Sequence, residues 1–574
     1  MNTHAFVLSP MVIALGLTVG LTGCSDSDSA SRLSRPAEVV ITPKPVDLAE
    51  GTYFYQLVFE DVATGKPINE TLQVTLTGPA VDAGLVVDAN NVSLKGKTLT
   101  TDIGTVTVAA KYDATNTTFS ALVGNAATGW TQTGVELRKE TSTPGNQTLV
   151  VKLINPKKSA ATVNANEDVA LAVASSSFAA SATGAISSTP ISLETAAKSA
   201  KNDAGALEPI GTAKIDIPAG VNALDANGNK INLTGQITAS TVKFGNGSAA
   251  SMSAFPGGFT PTVVNQAGQT VNNGAFITGG FAQFNLTASN GTPIKKFDQD
   301  VTLSIDLPKT SKQPNGTVLK AGDTYPVWSY DEATGKWQFE TDGLISEKTP
   351  VDPNNFTVSF KSNHLSYWNL DFYGDTCTGT LNLERTALDT RPLSVELVGV
   401  EGLRFYQTFY SVTDSEQTFF RYPTNTLVNV VVRDEQNAII ASSPAPQNLC
   451  NTGSKISIPA APAVPRANLI VNVTESCPSG TNRRASPTTV EFYDGRRWYS
   501  KYARSNPAGT VASVSFDGLR SDTQGTLYVF NPLTGRTQSQ NVTVNAPSTT
   551  VAVNLPNLRC GAPTGATGST GTGN

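Results

Sequence analysis

Apolar and polar residues alternate in short runs along this chain, and no segment sustains an apolar repeat at helical spacing. In Leu72-Gln73-Val74-Thr75-Leu76-Thr77 the period of two places Leu72, Val74 and Leu76 on one face, which marks a half-buried strand. Tyr53-Phe54-Tyr55-Gln56-Leu57-Val58-Phe59, Val106-Thr107-Val108 and Thr148-Leu149-Val150-Val151-Lys152-Leu153 are of the same kind. A turn recurs between runs: Asp61-Val62-Ala63-Thr64-Gly65-Lys66, Asp331-Glu332-Ala333-Thr334-Gly335-Lys336 and Asn531-Pro532-Leu533-Thr534-Gly535-Arg536. In each, Gly supplies the positive φ that a tight hairpin needs, and Thr and Lys or Arg are expected in solvent. The expected fold class is all-β, a string of β-sandwich domains with little helix. Residues 193–204 are the one stretch suited to a helix.

Composition narrows the chemistry. Charged residues are 15% of the chain, against roughly 25% in ordinary soluble proteins, and Thr, Ser, Asn, Gly and Val take their place. A net charge of −5 over 574 residues gives no electrostatic footprint for nucleic acid. Beyond residue 23 the chain holds one histidine, His364. A zinc site built on several histidines, or a second His-dependent centre, is therefore excluded. No metal or cofactor is expected; carboxylate-only chemistry of the glycosidase kind stays open.

Residues 5–23 form an apolar run that ends in Leu21-Thr22-Gly23-Cys24. This tetrapeptide resembles the lipobox of bacterial lipoproteins. The resemblance implies a signal peptide over 1–23, cleavage before Cys24, acylation (palmitate among the chains) on Cys24, and a membrane partner held through that anchor. Two or three acyl chains make a stable anchor. The alternative is an uncleaved transmembrane span, which the run is just long enough to form, although Thr, Ser, Pro and Gly interrupt it. Ser25, rather than Asp, follows the cysteine, and the resemblance then implies the outer membrane, facing the periplasm or the cell surface. Residues 24–45 read as a flexible tether.

The mature length implies several domains. The expected divisions are a β-sandwich over 46–156, an Ala/Ser/Thr-rich linker or domain start over 157–210, a distinct β-sandwich region over 211–372, two related immunoglobulin-like modules over 373–466 and 467–563, and a disordered tail over 564–574. The two modules echo each other: Asn369-Leu370 precedes Cys377 as Asn468-Leu469 precedes Cys477, and Asn448-Leu449-Cys450 matches Asn557-Leu558-Arg559-Cys560. An even number of cysteines in an exported chain reads as disulfides. Cys377–Cys450 and Cys477–Cys560 each bracket one module; Cys450–Cys477 with Cys377–Cys560 is the rival pairing.

One short motif suggests reaction chemistry. Val327-Trp328-Ser329-Tyr330-Asp331 and Gly335-Lys336-Trp337 lead to Asn363-His364-Leu365-Ser366-Tyr367-Trp368. These pieces resemble the GPS motif that closes GAIN domains of adhesion receptors and polycystins. The stretches around 214–220 and 255–259 resemble the sandwich domains of zonula-occludens proteins and netrin receptors. In self-cleaving members the resemblance implies attack of Ser366 Oγ on the Leu365 carbonyl with His364 as base, then hydrolysis of the ester. Val327 and Ser362 stand where that family carries flanking cysteines. The structural alternative is a strand end with Leu365 and Trp368 in the core and His364 hydrogen-bonded.

Weaker signals complete the set. Asp225-Ala226-Asn227-Gly228-Asn229 has the oxygen spacing of a calcium loop but lacks its later bidentate Glu, and reads better as a hairpin turn. Asp298 and Asp300 have no evident partners. Arg496, Arg497, Trp498 and Tyr499, with Arg483 and Arg484 nearby, form a basic-aromatic patch able to meet a sugar or an anionic surface, or else a strand with Trp and Tyr turned to the core. The expected function is a non-catalytic cell-envelope lipoprotein, a β-sandwich stalk for adhesion, binding or scaffolding with a protein or glycan ligand. The alternatives are the same stalk with autoproteolysis at Leu365–Ser366, and a carbohydrate-binding or carbohydrate-active surface protein.

Overall fold

In a computed structural model, residues 53–556 are described apart from 89–91, 140–144, 203–204, 226–227, 387–388, 390, 392, 401, 413–414, 425, 435–437, 451–452, 461–464, 477–481, 484–487, 496–497, 506–510 and 532–535. The protein is all-β. Strand Leu72–Thr77 alternates buried and solvent-facing residues as its period of two requires. Both described copies of the recurrent turn close alike. Gly65 and Gly335 take φ of 64° and 70°, their N–H groups donate to Asp61 O (2.7 Å) and Asp331 O (2.8 Å), and each Asp carboxylate accepts from the turn Thr hydroxyl. The Thr is thus part of the turn's own hydrogen bonding rather than simply solvated.

The first module pairs two sheets over a core of Tyr55, Leu57, Phe59, Val74, Phe119 and Leu137. Its first strand, Tyr53–Asp61, and its last, Gly145–Leu153, run parallel. The third module closes the same way through Thr376–Glu384 and Ser454–Ser457, and the fourth through Arg466–Ser476 and Ser548–Pro556.

Between the first and third modules lies a fourteen-stranded sheet. Ile215, Ile237, Phe284, Leu303, Val358 and Leu370, from strands spread across that sheet, meet in one core, which requires the sheet to curl back on itself. Strands Leu171–Ala179 and Ile191–Glu194 belong to this sheet, so this part of 157–210 is built into the central domain.

The helix expected at 193–204 is not there. Ile191–Glu194 pairs with Ala213–Ile217 and Ser199–Lys201 pairs with Leu207–Pro209, because partner strands override the propensity of Leu, Glu, Ala and Lys. A ten-residue helix instead spans Pro156–Ala165. Asn155 caps it, accepting from Lys158 N, with Pro156 in the first turn, a start signal that was present in the sequence.

The outer face of the central sheet carries a second core around Phe244, Phe281, Trp328, Trp337 and Tyr367. It continues into Val62 and Ile154 of the first module and into Leu381, Val395 and Phe419 of the third. A shared apolar core of this kind opposes independent domain motion, since separation would expose it to water.

Candidate functional site

His364 ends strand Asn355–His364, and Ser366 lies just before strand Tyr367–Gly374. Leu365 and Trp368 are buried in the central core. The His364 ring stacks on Trp368 at 4.9 Å, and its Nε2 lies 3.3 Å from Glu340 Oε1, which also accepts from Ser329 Oγ at 2.6 Å. Burial pushes the Glu340 carboxyl up, but hydrogen bonds from His364 and Ser329 outweigh it and hold the group below its ordinary value. Ser366 Oγ donates to the carbonyl of Tyr330, and Ser366 O accepts from Phe284 N. The base and the nucleophile of the self-cleavage scheme thus face different partners. Nor does His364, Leu365 or Ser366 carry a positive φ among the described residues, so no left-handed backbone strain bears on the Leu365–Ser366 peptide.

Cys377 and Cys450 are bonded across the third module. Cys24, Cys477, Cys560, Arg496 and Arg497 lie outside the described residues. Tyr499 packs against the fourth module's core, whereas Trp498 pairs with Tyr493 and Tyr528 at 4.9 and 5.5 Å. Asp225 closes a hairpin: its carboxylate accepts from Asn229 N at 2.8 Å and Asn229 Nδ2 at 3.2 Å. Asp298 is likewise taken up by Asn222, at 2.8 and 2.6 Å. Among the described residues no cluster of three or more His, Cys, Asp or Glu is placed to hold a metal ion.

The structure assembles another site from residues far apart in sequence. A cleft of about 630 Å³ lies where the first module, the central domain and the third module meet, lined by residues 133–139 and 149–152, by 252–262, and by 406–408 with Arg421. Successive strand residues point to opposite faces, so lining by consecutive residues means that the cleft meets these strands edge-on. Strand Gly145–Leu153 is paired on one side only, by Tyr53–Asp61. Strand Tyr406–Val412 is paired only by Leu393–Gly399.

Charge in the lining is one-sided. Arg138, Lys139, Lys152 and Arg421 face a single carboxylate, Glu136. Arg138 bonds Glu136 at 2.8 Å, and Thr262 joins both. Lys139 Nζ sits 4.9 Å above the Tyr53 ring, and burial pushes its ammonium down. Lys152 lies 3.6 Å from Glu60. Arg421 reaches Asn272 O at 2.9 Å from a left-handed backbone, φ 61°, a conformation that costs a non-Gly residue roughly 1–2 kcal/mol. The Tyr373 phenol is raised by burial, while Gly274 N, Arg421 and Arg138 pull the other way, so the two guanidinium groups converge on one ring. Sequence reasoning missed this site because no local pattern joins residues 138, 256 and 421.

No family model matches the chain, and no curated protein matches its sequence. Among solved structures it is similar to the Bacillus anthracis TIE protein, with 12% identity over 66% of this chain and a TM-score of 0.12; the chain spans 58% of that protein's length. A streptococcal ancillary pilin is matched at 12% identity over 44% of this chain and 98% of its own, TM-score 0.14. The full-length RrgB pilus protein from Streptococcus pneumoniae is matched at 8% identity over 86% of this chain and 93% of its own, TM-score 0.12. Likenesses this loose carry no weight for function, and the all-β architecture stands on the chain's own hydrogen-bonded sheets.

Proposed function

We propose that this chain is a non-catalytic cell-envelope protein, a β-sandwich scaffold anchored through lipid on Cys24 to the outer membrane and presenting a binding surface. The observation that carries the reading is the apolar core that runs through the first module, the central domain and the third module, with a charged cleft at their junction. A fixed multi-module body with a preformed cleft suits holding a ligand or partner. The pairing of His364 with Glu340 and of Ser366 with the Tyr330 carbonyl supports the absence of self-cleavage.

Mass spectrometry of the chain isolated from membranes tests both parts. The expected result is a single species whose N-terminal peptide is acylated Cys24, with release into the soluble fraction on Cys24→Ser. An unmodified Cys24 would sink the anchor. Two fragments meeting at Ser366 would sink the non-catalytic reading.

A further inference from the structure

Three features of the cleft bear on what it holds. Its walls include the open edge of strand Gly145–Leu153 and that of Tyr406–Val412. Such an edge leaves every second residue's N–H and C=O without a strand partner. Four cations against one carboxylate line it, in a chain whose net charge is −5. Gln407 Oε1 and Thr408 Oγ1, both in the lining, are buried without a hydrogen-bond partner, and buried polar atoms of this kind are ordinarily satisfied.

We propose that the cleft binds an extended acidic polypeptide segment, which adds as a strand to the open edge of Gly145–Leu153 and sets its carboxylates against Arg138, Lys139 and Arg421. Strand addition draws affinity from main-chain hydrogen bonds and specificity from the side chains that flank the edge. A nine-residue strand offers about four N–H and C=O pairs along one edge, and carboxylates on alternate residues of the guest fall on one face, where a cationic wall can meet them. Only an extended guest uses the edge and the charges together.

Arg421 makes the assignment testable without loss of the fold. Its left-handed backbone suits glycine, so Arg421→Gly removes the guanidinium while relaxing the chain. The other cations in the lining have partners of their own: Lys152 with Glu60 and Arg138 with Glu136. An acidic guest would therefore join an existing network in which Glu136 alone balances Arg138, Lys139 and Arg421.

The inference rests on the binding reading above, and its test is independent of the lipid anchor. The full chain, purified in detergent, is titrated with three fluorescent eight-residue peptides: alternating Glu and Thr, alternating Lys and Thr, and the acidic peptide N-methylated at alternate amides. The acidic peptide is expected to bind at least about tenfold more tightly than either other, because losing a charge-assisted or main-chain bond costs about that factor. Arg421→Gly is expected to weaken it about fivefold or more with an unchanged or raised melting temperature, and Lys139→Gln serves as the second variant. Equal binding of acidic and basic peptides overturns the charge assignment, and indifference to N-methylation overturns strand addition. Competition by a polyuronate with no peptide binding would make the ligand an acidic glycan and overturn the proposal, while acylation of Cys24 would still stand.

Discussion

Glu491 lies in strand Thr488–Tyr493 of the last module and is buried, yet it meets the first module rather than its own core. Thr105 Oγ1 donates to Glu491 Oε1 at 3.3 Å, and Gln56 and Thr107 complete a polar surround. Its neighbours in charge are the phenols of Tyr493 and Tyr528 on its own sheet, with Glu60 of the first module facing Tyr493 and Lys152 paired to Glu60. Burial, against hydrogen bonds from those three partners, pushes the carboxyl from 4.5 up to about 7. The folded state then holds this proton more tightly than the unfolded chain does, so stability is greatest at or below pH 4.5 and is lost as pH rises to about 7. At about 1.4 kcal/mol per pH unit, the loss is about 3 kcal/mol. Glu491→Gln keeps the shape and never ionises. Urea unfolding followed by tryptophan fluorescence at several pH values is expected to show wild type and variant nearly equal at pH 4.5. The variant should be about 3 kcal/mol more stable at pH 8, with the gap opening between pH 5 and 7. The phenols stay neutral throughout, since burial raises both, Tyr493 to about 12. A difference that does not change with pH would refute the argument, and with it the buried contact between the first and last modules.

Other expectations can be checked in the same way. Gly65→Ala and Gly335→Ala alter equivalent turns, but a Cβ meets nothing within 4 Å at Gly65 and lies 2.6 Å from Glu136 N at Gly335. The first should cost only about 1 kcal/mol and the second clearly more, in matched thermal melts; equal effects would deny the close contact of turn and first module. Lys243 is fully buried in the central domain, and burial, opposed by Asp306, brings its ammonium from 10.5 down to about 8. Its penalty is full below pH 8 and fades as pH rises toward 10.5, so Lys243→Met should gain about 3 kcal/mol at pH 7 and lose that advantage above pH 10, read by pH-dependent denaturation. Cys377→Ala opens a bridge spanning 73 residues, and should cost about 4 kcal/mol by the chain-entropy estimate, measured against wild type in non-reducing urea titrations.

The candidate sites separate by how local their causes are. The turn at Asp331–Lys336 was legible because a glycine, a threonine and an aspartate within five residues satisfy one another. Where the turn docks was not: Thr77 and Ser120 donate to its carbonyls from the first module. The His364 motif was legible as a string of letters, but the partners of its ring are Glu340 and Trp368, and only the pairing of neighbouring strands aims it at them.

Alternation and turn chemistry by themselves determined that this chain is all-β, because a period of two and a positive-φ glycine act within a few residues. Tertiary structure decided what those strands touch. Residues 193–204 carry helix-favouring side chains and still contribute strands, since partner strands supply hydrogen bonds that local propensity of tenths of a kcal/mol cannot match. Glu491 alternates with Val490 and Phe492 as any outward residue would, and becomes buried only because another module covers that face. The cleft is the strongest case, as its cations come from residues 138, 139, 152 and 421. Charge and edge availability there depend on three modules meeting, and no single stretch of chain encodes that meeting.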